Sequence, residues 1–377
     1  MRKLILTLFI CLAISGDTTS QISGSFVFDG ITRSWVLHLP TDYNAGESMP
    51  LMIALHGLTQ TGPEMMQFSD FNTIADTGNF VVVYPNGAGN AWNVGFNGGS
   101  TEDDVGFLSA LIDTLHQQYN IDLNRVYATG LSNGGFMSYR LACELGNRIA
   151  AIAPVAGTMT DGSYNSCTPQ REVPVLHIHG TADLIVNYNG GFGNKSVDQV
   201  LAFWNNFNNC PSLPVIVNLP DLVAEGSTVQ RHTWSPCNES TEVMLLKVIN
   251  GGHTWPGSVG VTGVGNTNRD IVASSEIWNF VSRFSLDVNT GISDMQQPHF
   301  KVYPNPAKDN WLIVEFNKDK LYDKVSIYAT DGRLVLEEKV NDASGVQSIN
   351  ITELNSGIYL IQFAGKNLSE TQKFIVP

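Results

Sequence analysis

The chain has 377 residues, 43% of them hydrophobic, and a formal net charge of −14 from 35 acidic and 21 basic residues. That length exceeds one ordinary domain and the apolar share fills a large core. The acidic balance argues against a nucleic-acid partner, which rewards Lys and Arg.

Arg2 and Lys3 precede an apolar run from Leu4 to Ile14, and small or polar residues follow to Ser20. The run is too short for a membrane span and is correctly charged in front, so residues 1–20 read as a signal peptide. Cleavage after Ser20 is preferred over Ser15 and leaves no transmembrane segment in the mature protein. Beyond Cys11 stand Cys143, Cys167, Cys210 and Cys237, an even number that predicts two disulfides in an exported chain. Four cysteines allow three pairings. Cys143 with Cys167 and Cys210 with Cys237 is preferred, because each closes a modest loop of similar length.

Ser25 to Phe28 and Arg33 to Leu39 predict an antiparallel pair around Asp29-Gly30. Pro50 to Leu55 and Phe80 to Tyr84 are short apolar runs of buried strands, with a helix from Pro63 towards Asp76 between them. Asp104 to Tyr119 is helical by periodicity, and Glu102, Asp103 and Asp104 read as cap and first-turn charges. Strands Arg125–Thr129, Ala150–Val155, Val173–His179 and Glu242–Ile249 follow, with helices to about Leu145, over Ser196–Phe207 and over Asp270–Phe284. This alternation predicts an α/β domain over 21–285, a mostly parallel central sheet with helices on both faces. In such sheets the working groups gather at the carboxyl ends of the strands.

Residues 286–298 are polar and read as a linker. From 299 to 377 the chain shows short alternating strands with turn signals between them, which predicts a small C-terminal β-sandwich.

Gly130-Leu131-Ser132-Asn133-Gly134 joins a strand to a helix and reads as a nucleophile elbow, with glycines where a Cβ would collide. In a chain with 35 glycines the pentapeptide alone is weak, so an acid and a base must accompany it. A serine hydroxyl needs a base to take its proton and a third group to orient that base. His253, in Asn250-Gly251-Gly252-His253-Thr254-Trp255 just after an apolar strand, is the base candidate. His179 also ends a strand, but Asp183 just beyond it is the carboxylate best placed to reach a histidine; Asp161 is the reserve acid. The order Ser132, Asp183, His253 is that of an α/β-hydrolase. Backbone N–H groups of Asn133 and of Leu58, or else Thr59, are the expected oxyanion donors, and His56 is read as holding their loop. Trp92 and Trp255 are candidates for substrate contact.

Leu55-His56-Gly57-Leu58-Thr59-Gln60, Gly130-Leu131-Ser132-Asn133-Gly134-Gly135, His179-Gly180-Thr181-Ala182-Asp183 and Gly252-His253-Thr254-Trp255-Pro256-Gly257 resemble the secreted esterase family of feruloyl and acetylxylan esterases and polyhydroxybutyrate depolymerases. The resemblance covers about 24 to 285. It implies an α/β-hydrolase fold and a metal-free, cofactor-free ester hydrolase working through an acyl-serine. The expected substrate is a polysaccharide- or polymer-linked ester: feruloyl or acetyl groups on plant cell-wall polysaccharide first, a polyester second. A surface binding protein with an idle hydrolase fold is the rival of another class, and the intact Ser132, Asp183 and His253 argue against it.

Tyr303-Pro304-Asn305-Pro306, Tyr328-Ala329-Thr330-Asp331-Gly332-Arg333, Leu354-Asn355-Ser356-Gly357-Ile358-Tyr359-Leu360 and the closing Lys373-Phe374-Ile375-Val376-Pro377 resemble the sorting domain of type IX secretion cargo. That resemblance implies recognition by the type IX machinery, passage through the periplasm and across the outer membrane, and removal of the tail or attachment at the cell surface.

Overall fold

The computed structural model describes residues 21–96, 99–191, 193–258, 264–286, 300–308, 310–316, 322–329, 333–340, 345–365 and 368–377. The expected signal peptide, and all but the first residue of the expected linker, lie outside the described residues. The chain divides into two compact units, Met1–Asp287 and Val288–Pro377.

In the first unit β1 (Gln21–Phe28) and β2 (Ile31–His38) form the expected hairpin, turning at Asp29 and Gly30, both at positive φ. There follow β3 (Met49–Leu55), α1 (Gly62–Ser69), α2 (Phe71–Gly78), β4 (Val81–Pro85), α3 (Asp104–Tyr119), β5 (Ile121–Leu131) and α4 (Asn133–Glu144). Then come β6 (Ala151–Val155), α5 (Asp161–Ser166), β7 (Val175–Gly180), α6 (Val197–Phe207), β8 (Val215–Asn218), β9 (Thr228–Trp234), β10 (Val243–Ile249) and α7 (Ala273–Val281). The ten strands form one sheet in the order β1-β2-β4-β3-β5-β6-β7-β10-β9-β8. From β4 to β10 neighbouring strands run parallel; both flanks are antiparallel.

The central strands are apolar on both faces because helices cover both. Along β3, Leu51, Ile53 and Leu55 enter a core shared with α3, α4 and α6, while Met52 and Ala54 enter one shared with α1, α2 and α7. A period of two thus feeds two separate cores.

Two local expectations change. The single helix expected from Pro63 to Asp76 is broken at Asp70, which takes a left-handed conformation (φ 52°, ψ 32°). Asp tolerates that region better than most residues, and Phe68 and Phe71, on either side of the break, both make T-shaped contacts with Trp255. Strands β8 and β9 were not expected. Every residue of β8 is exposed, so it carries no buried alternation to read. The disulfides join Cys143 to Cys167 and Cys210 to Cys237.

The second unit holds β11 (Phe300–Lys308), β12 (Trp311–Phe316), β13 (Lys324–Ala329), β14 (Leu334–Lys339), β15 (Val346–Asn350), β16 (Gly357–Gly365) and β17 (Leu368–Val376). A three-stranded sheet, β11-β12-β15, and a four-stranded one, β14-β13-β16-β17, share a core that includes Phe300, Leu312, Val314, Ile327, Ile361 and Phe363. This is a β-sandwich.

Candidate active site

Ser132 sits between β5 and α4 at φ 54° and ψ −116°, a conformation costly for a residue with a side chain. The surroundings enforce it. A Cβ on Gly134 would stand 2.1 Å from the Leu55 carbonyl oxygen, and one on Gly130 would stand 2.6 Å from that oxygen. Only without those atoms does α4 lie directly against β3. Gly157 is a third clearance that sequence reasoning missed: its Cβ would stand 2.4 Å from the Ser132 carbonyl oxygen. The Ser132 N–H donates to the Val155 carbonyl at 2.9 Å, which ties the elbow to β6.

Asp183 and His253 follow β7 and β10, which pair in parallel with Gly180 opposite Val248. Their loops therefore leave the sheet on the same edge. The Ala182 N–H donates to the Gly251 carbonyl at 2.9 Å, and a Cβ on Gly180 would meet that oxygen at 2.3 Å, so the loops touch. His253 is held by paired backbone bonds with Val264, at 2.7 and 3.0 Å. Its Nδ1 lies 2.7 Å from Asp183 Oδ2. The other carboxylate oxygen, Oδ1, accepts the N–H groups of Ile185 and Val186, each at 2.8 Å. Burial alone would raise the Asp183 carboxyl, but the His179 and His253 rings beside it outweigh that and hold the group well below the usual carboxylate range. An ionised carboxylate only accepts, so His253 carries a proton on Nδ1, and its Nε2 is left with the lone pair a base requires.

On the oxyanion side, the amides of Gly57, Thr59 and Gln60 donate to Gln60 Oε1, the Asn90 carbonyl and the Gly57 carbonyl. Thr59 is thereby occupied. Among the described residues no partner takes the Leu58 N–H, nor that of Asn133 in the first turn of α4. His56 is buried, with Nδ1 donating to the Gly57 carbonyl at 2.7 Å and Nε2 accepting the Gly87 N–H at 2.9 Å. Burial pushes its pKa below the usual histidine value, so it stays neutral and pins the loop.

The two tryptophans require correction. Trp92 and Trp255 are 0% and 1% exposed. The Trp92 indole N–H donates to the His56 carbonyl and its amide to Asn133 Oδ1, while the Trp255 indole donates to Ser274 Oγ. Trp92 braces His56 and Asn133 from behind, Trp255 packs against Ser274, and neither ring is exposed. Asp161 pairs with Lys195 at 2.8 Å and belongs to no histidine contact. Asp103 caps α3 as expected, but Asp104 is a buried partner of Arg33 at 2.6 Å rather than a mere first-turn charge. Among the described residues no group of three or more metal-ligating side chains occurs, and no helix is long and apolar enough to cross a membrane.

A parallel-centred sheet with helices on both faces, an elbow after β5, and loops after later strands that carry an acid and a histidine give the chain an α/β-hydrolase fold. Residues 33–173 match the family described as Esterase PHB depolymerase, and residues 301–377 match the Secretion system C-terminal sorting domain. That tail makes it a protein of the cell surface or the extracellular space, exported by type IX secretion.

Among curated proteins it is similar to a bifunctional acetylxylan esterase/xylanase of Neocallimastix patriciarum, 31% identical over 257 residues, covering 67% of this chain and 33% of that protein. It is also similar to feruloyl esterase B of Piromyces equi, 28% identical over 266 residues, covering 67% of this chain and 46% of the relative. The chain thus spans less than half the length of either. Among solved structures, an acetyl xylan esterase from Aspergillus awamori aligns with a TM-score of 0.47 at 16% identity, over 66% of this chain and 94% of its own.

Proposed function

We propose that the protein is a secreted serine carboxylic-ester hydrolase that removes feruloyl or acetyl groups from plant cell-wall polysaccharide. The observation that carries this reading is the 2.7 Å contact between Asp183 and His253 on the same sheet edge as the strained elbow at Ser132. Similarity to proteins named acetylxylan esterase and feruloyl esterase supports the substrate class.

In this mechanism His253 Nε2 takes the Ser132 hydroxyl proton as Oγ attacks the ester carbonyl carbon. The negative charge that develops on the carbonyl oxygen is met by the N–H groups of Asn133 and Leu58, the former favoured by the start of α4. Asp183 steadies the imidazolium. The alcohol leaves with the proton from His253, and water then cleaves the acyl-serine by the same steps in reverse. The C-terminal sandwich is the part that meets the type IX machinery, and no metal or cofactor enters the reaction.

A polyester depolymerase is the second reading, supported by the family match over 33–173 and by exposed apolar side chains beside the site residues. Leu184 and Ile185 follow Asp183, Val264 pairs with His253, and Leu58 lies in the oxyanion loop; all are exposed. Such a rim suits an aromatic acyl group or a polymer surface better than an acetyl group. A panel of methyl ferulate, acetylated xylan and polyhydroxybutyrate separates the readings. Release of ferulate at least about 100-fold faster than clearing of the polyester is expected, with Ser132→Ala inactive throughout. Preferred clearing of the polyester would replace the first reading with the second.

A further inference from the structure

Strand β7 carries two histidines that this chemistry does not use. His177 and His179 are two residues apart and so leave the same face of the strand, the one covered by α4. Both are buried, and their rings stack with centroids 5.2 Å apart and planes 5° apart. Tyr139, on the helix that Ser132 begins, places its hydroxyl 2.7 Å from His177 Nδ1. His177 Nε2 lies 3.1 Å from His179 Nδ1. His179 Nε2 lies 2.8 Å from the Val186 carbonyl oxygen and 3.4 Å from Asp183 Oδ2.

For neutral rings the partners fix the tautomers. A carbonyl oxygen only accepts, so His179 carries its proton on Nε2. In the neutral ring Nδ1 is then an acceptor and receives the Nε2 proton of His177. His177 Nδ1 is in turn an acceptor and receives the Tyr139 hydroxyl. Burial, with His179 adding to it, holds His177 well below the usual histidine range, which keeps that ring neutral. The donors therefore run one way, from α4 through β7 to the turn 183–186.

We propose that Tyr139, His177 and His179 are positioning residues, a directional hydrogen-bond chain that ties the helix bearing Ser132 to the turn bearing Asp183. It rests on the reading of Ser132, Asp183 and His253 as a triad. The carboxylate oxygen that His179 approaches is the one that faces His253, whereas Oδ1 is occupied by the amides of Ile185 and Val186. The chain thus acts on the oxygen that matters for the base. The other ionisable groups near His179 are Tyr188, edge-on at 5.9 Å, Asp198 on the Tyr188 hydroxyl, and Lys247 over the Tyr188 ring.

The test compares Tyr139→Phe, His179→Phe and His179→Gln with the parent on a soluble activated ester, reading kcat, KM, the acid limb of kcat/KM and the melting temperature. His179→Phe leaves the acid turn untethered and the His253 imidazolium less well steadied. The expected result is a fall in kcat of about 100-fold with KM within about twofold, and an acid limb moved to lower pH. Gln supplies both a donor and an acceptor, so His179→Gln recovers most of the rate. Tyr139→Phe shows a smaller loss, roughly 5- to 10-fold, with the limb moved in the same direction. Melting temperatures that fall while kcat and the acid limb hold at parent values overturn the proposal, leaving a packing role only. If His179→Phe does not fold, Tyr139→Phe and His179→Gln decide by the same readouts. Ser132→Ala separates the layers: turnover without Ser132 overturns the triad itself, whereas a silent Ser132→Ala beside unaffected relay variants overturns the relay alone.

Discussion

The elbow after β5 and the turn after β7 present two candidate site residues on one edge of one sheet, yet they are held by opposite means. Ser132 is placed by emptiness: the missing side chains of Gly130, Gly134 and Gly157 let three backbone segments close around a residue at φ 54°. Asp183 is placed by saturation, its carboxylate receiving the amides of Ile185 and Val186 and the ring N–H of His253, with His179 close by. A strained backbone persists only where its surroundings over-determine it, and a buried carboxylate only where donors surround it. The first device therefore fails when an atom is added, the second when a proton is moved.

The largest effect is expected from adding that atom. Gly134→Ala sets a methyl group against the Leu55 carbonyl, backbone that cannot rotate away, so a loss of about 3 kcal/mol or more and of all esterase activity is expected in chemical denaturation and turnover assays. Gly162→Ala in α5 is the control: its Cβ would only touch Thr160 Oγ1 at 3.9 Å, and stability should hold or rise by up to about 1 kcal/mol. Equal losses in both variants would deny the elbow its steric basis.

Moving the proton comes next. Asp183→Asn keeps the shape of the turn but cannot steady an imidazolium, so kcat should fall by about 10⁴ with the protein still folded. The same variant has a pH signature in stability. The Asp183 carboxyl is held below its ordinary value in the fold, so its stabilisation is complete above about pH 4 and is lost as pH falls towards the folded value. The melting-temperature deficit of Asp183→Asn should therefore be largest near neutrality and shrink between about pH 4 and pH 3. A deficit that stays constant across that range would mean the carboxylate gains nothing from its donors.

The same contrast explains what could be read in advance. Steric devices leave a local trace, since glycines two residues either side of Ser132 stand in the sequence, and β3 to β7 announce themselves as apolar runs because both faces are buried. The order of Ser132, Asp183 and His253 along the chain was equally visible. Hydrogen-bond devices leave little trace: Tyr139 and His177 meet across 38 residues, and nothing around either names the other. Trp255 looked like a substrate contact because it lies just beyond His253, and Trp92 because it stands in a polar loop, but position in sequence does not say which side of a loop a ring occupies. The break at Asp70 was hidden because an aspartate, not a glycine, takes the left-handed position. β8 was missed because a strand exposed on both faces has no buried alternation.

The central claim is that Ser132 is the activated nucleophile, and covalent labelling tests it most directly. The mature protein would be treated with a fluorophosphonate and the adduct located by peptide mass spectrometry. One adduct per chain, on Ser132, is the predicted result, with labelling slowed strongly in His253→Ala. A folded protein that takes no label, or takes it on another residue, would contradict the account.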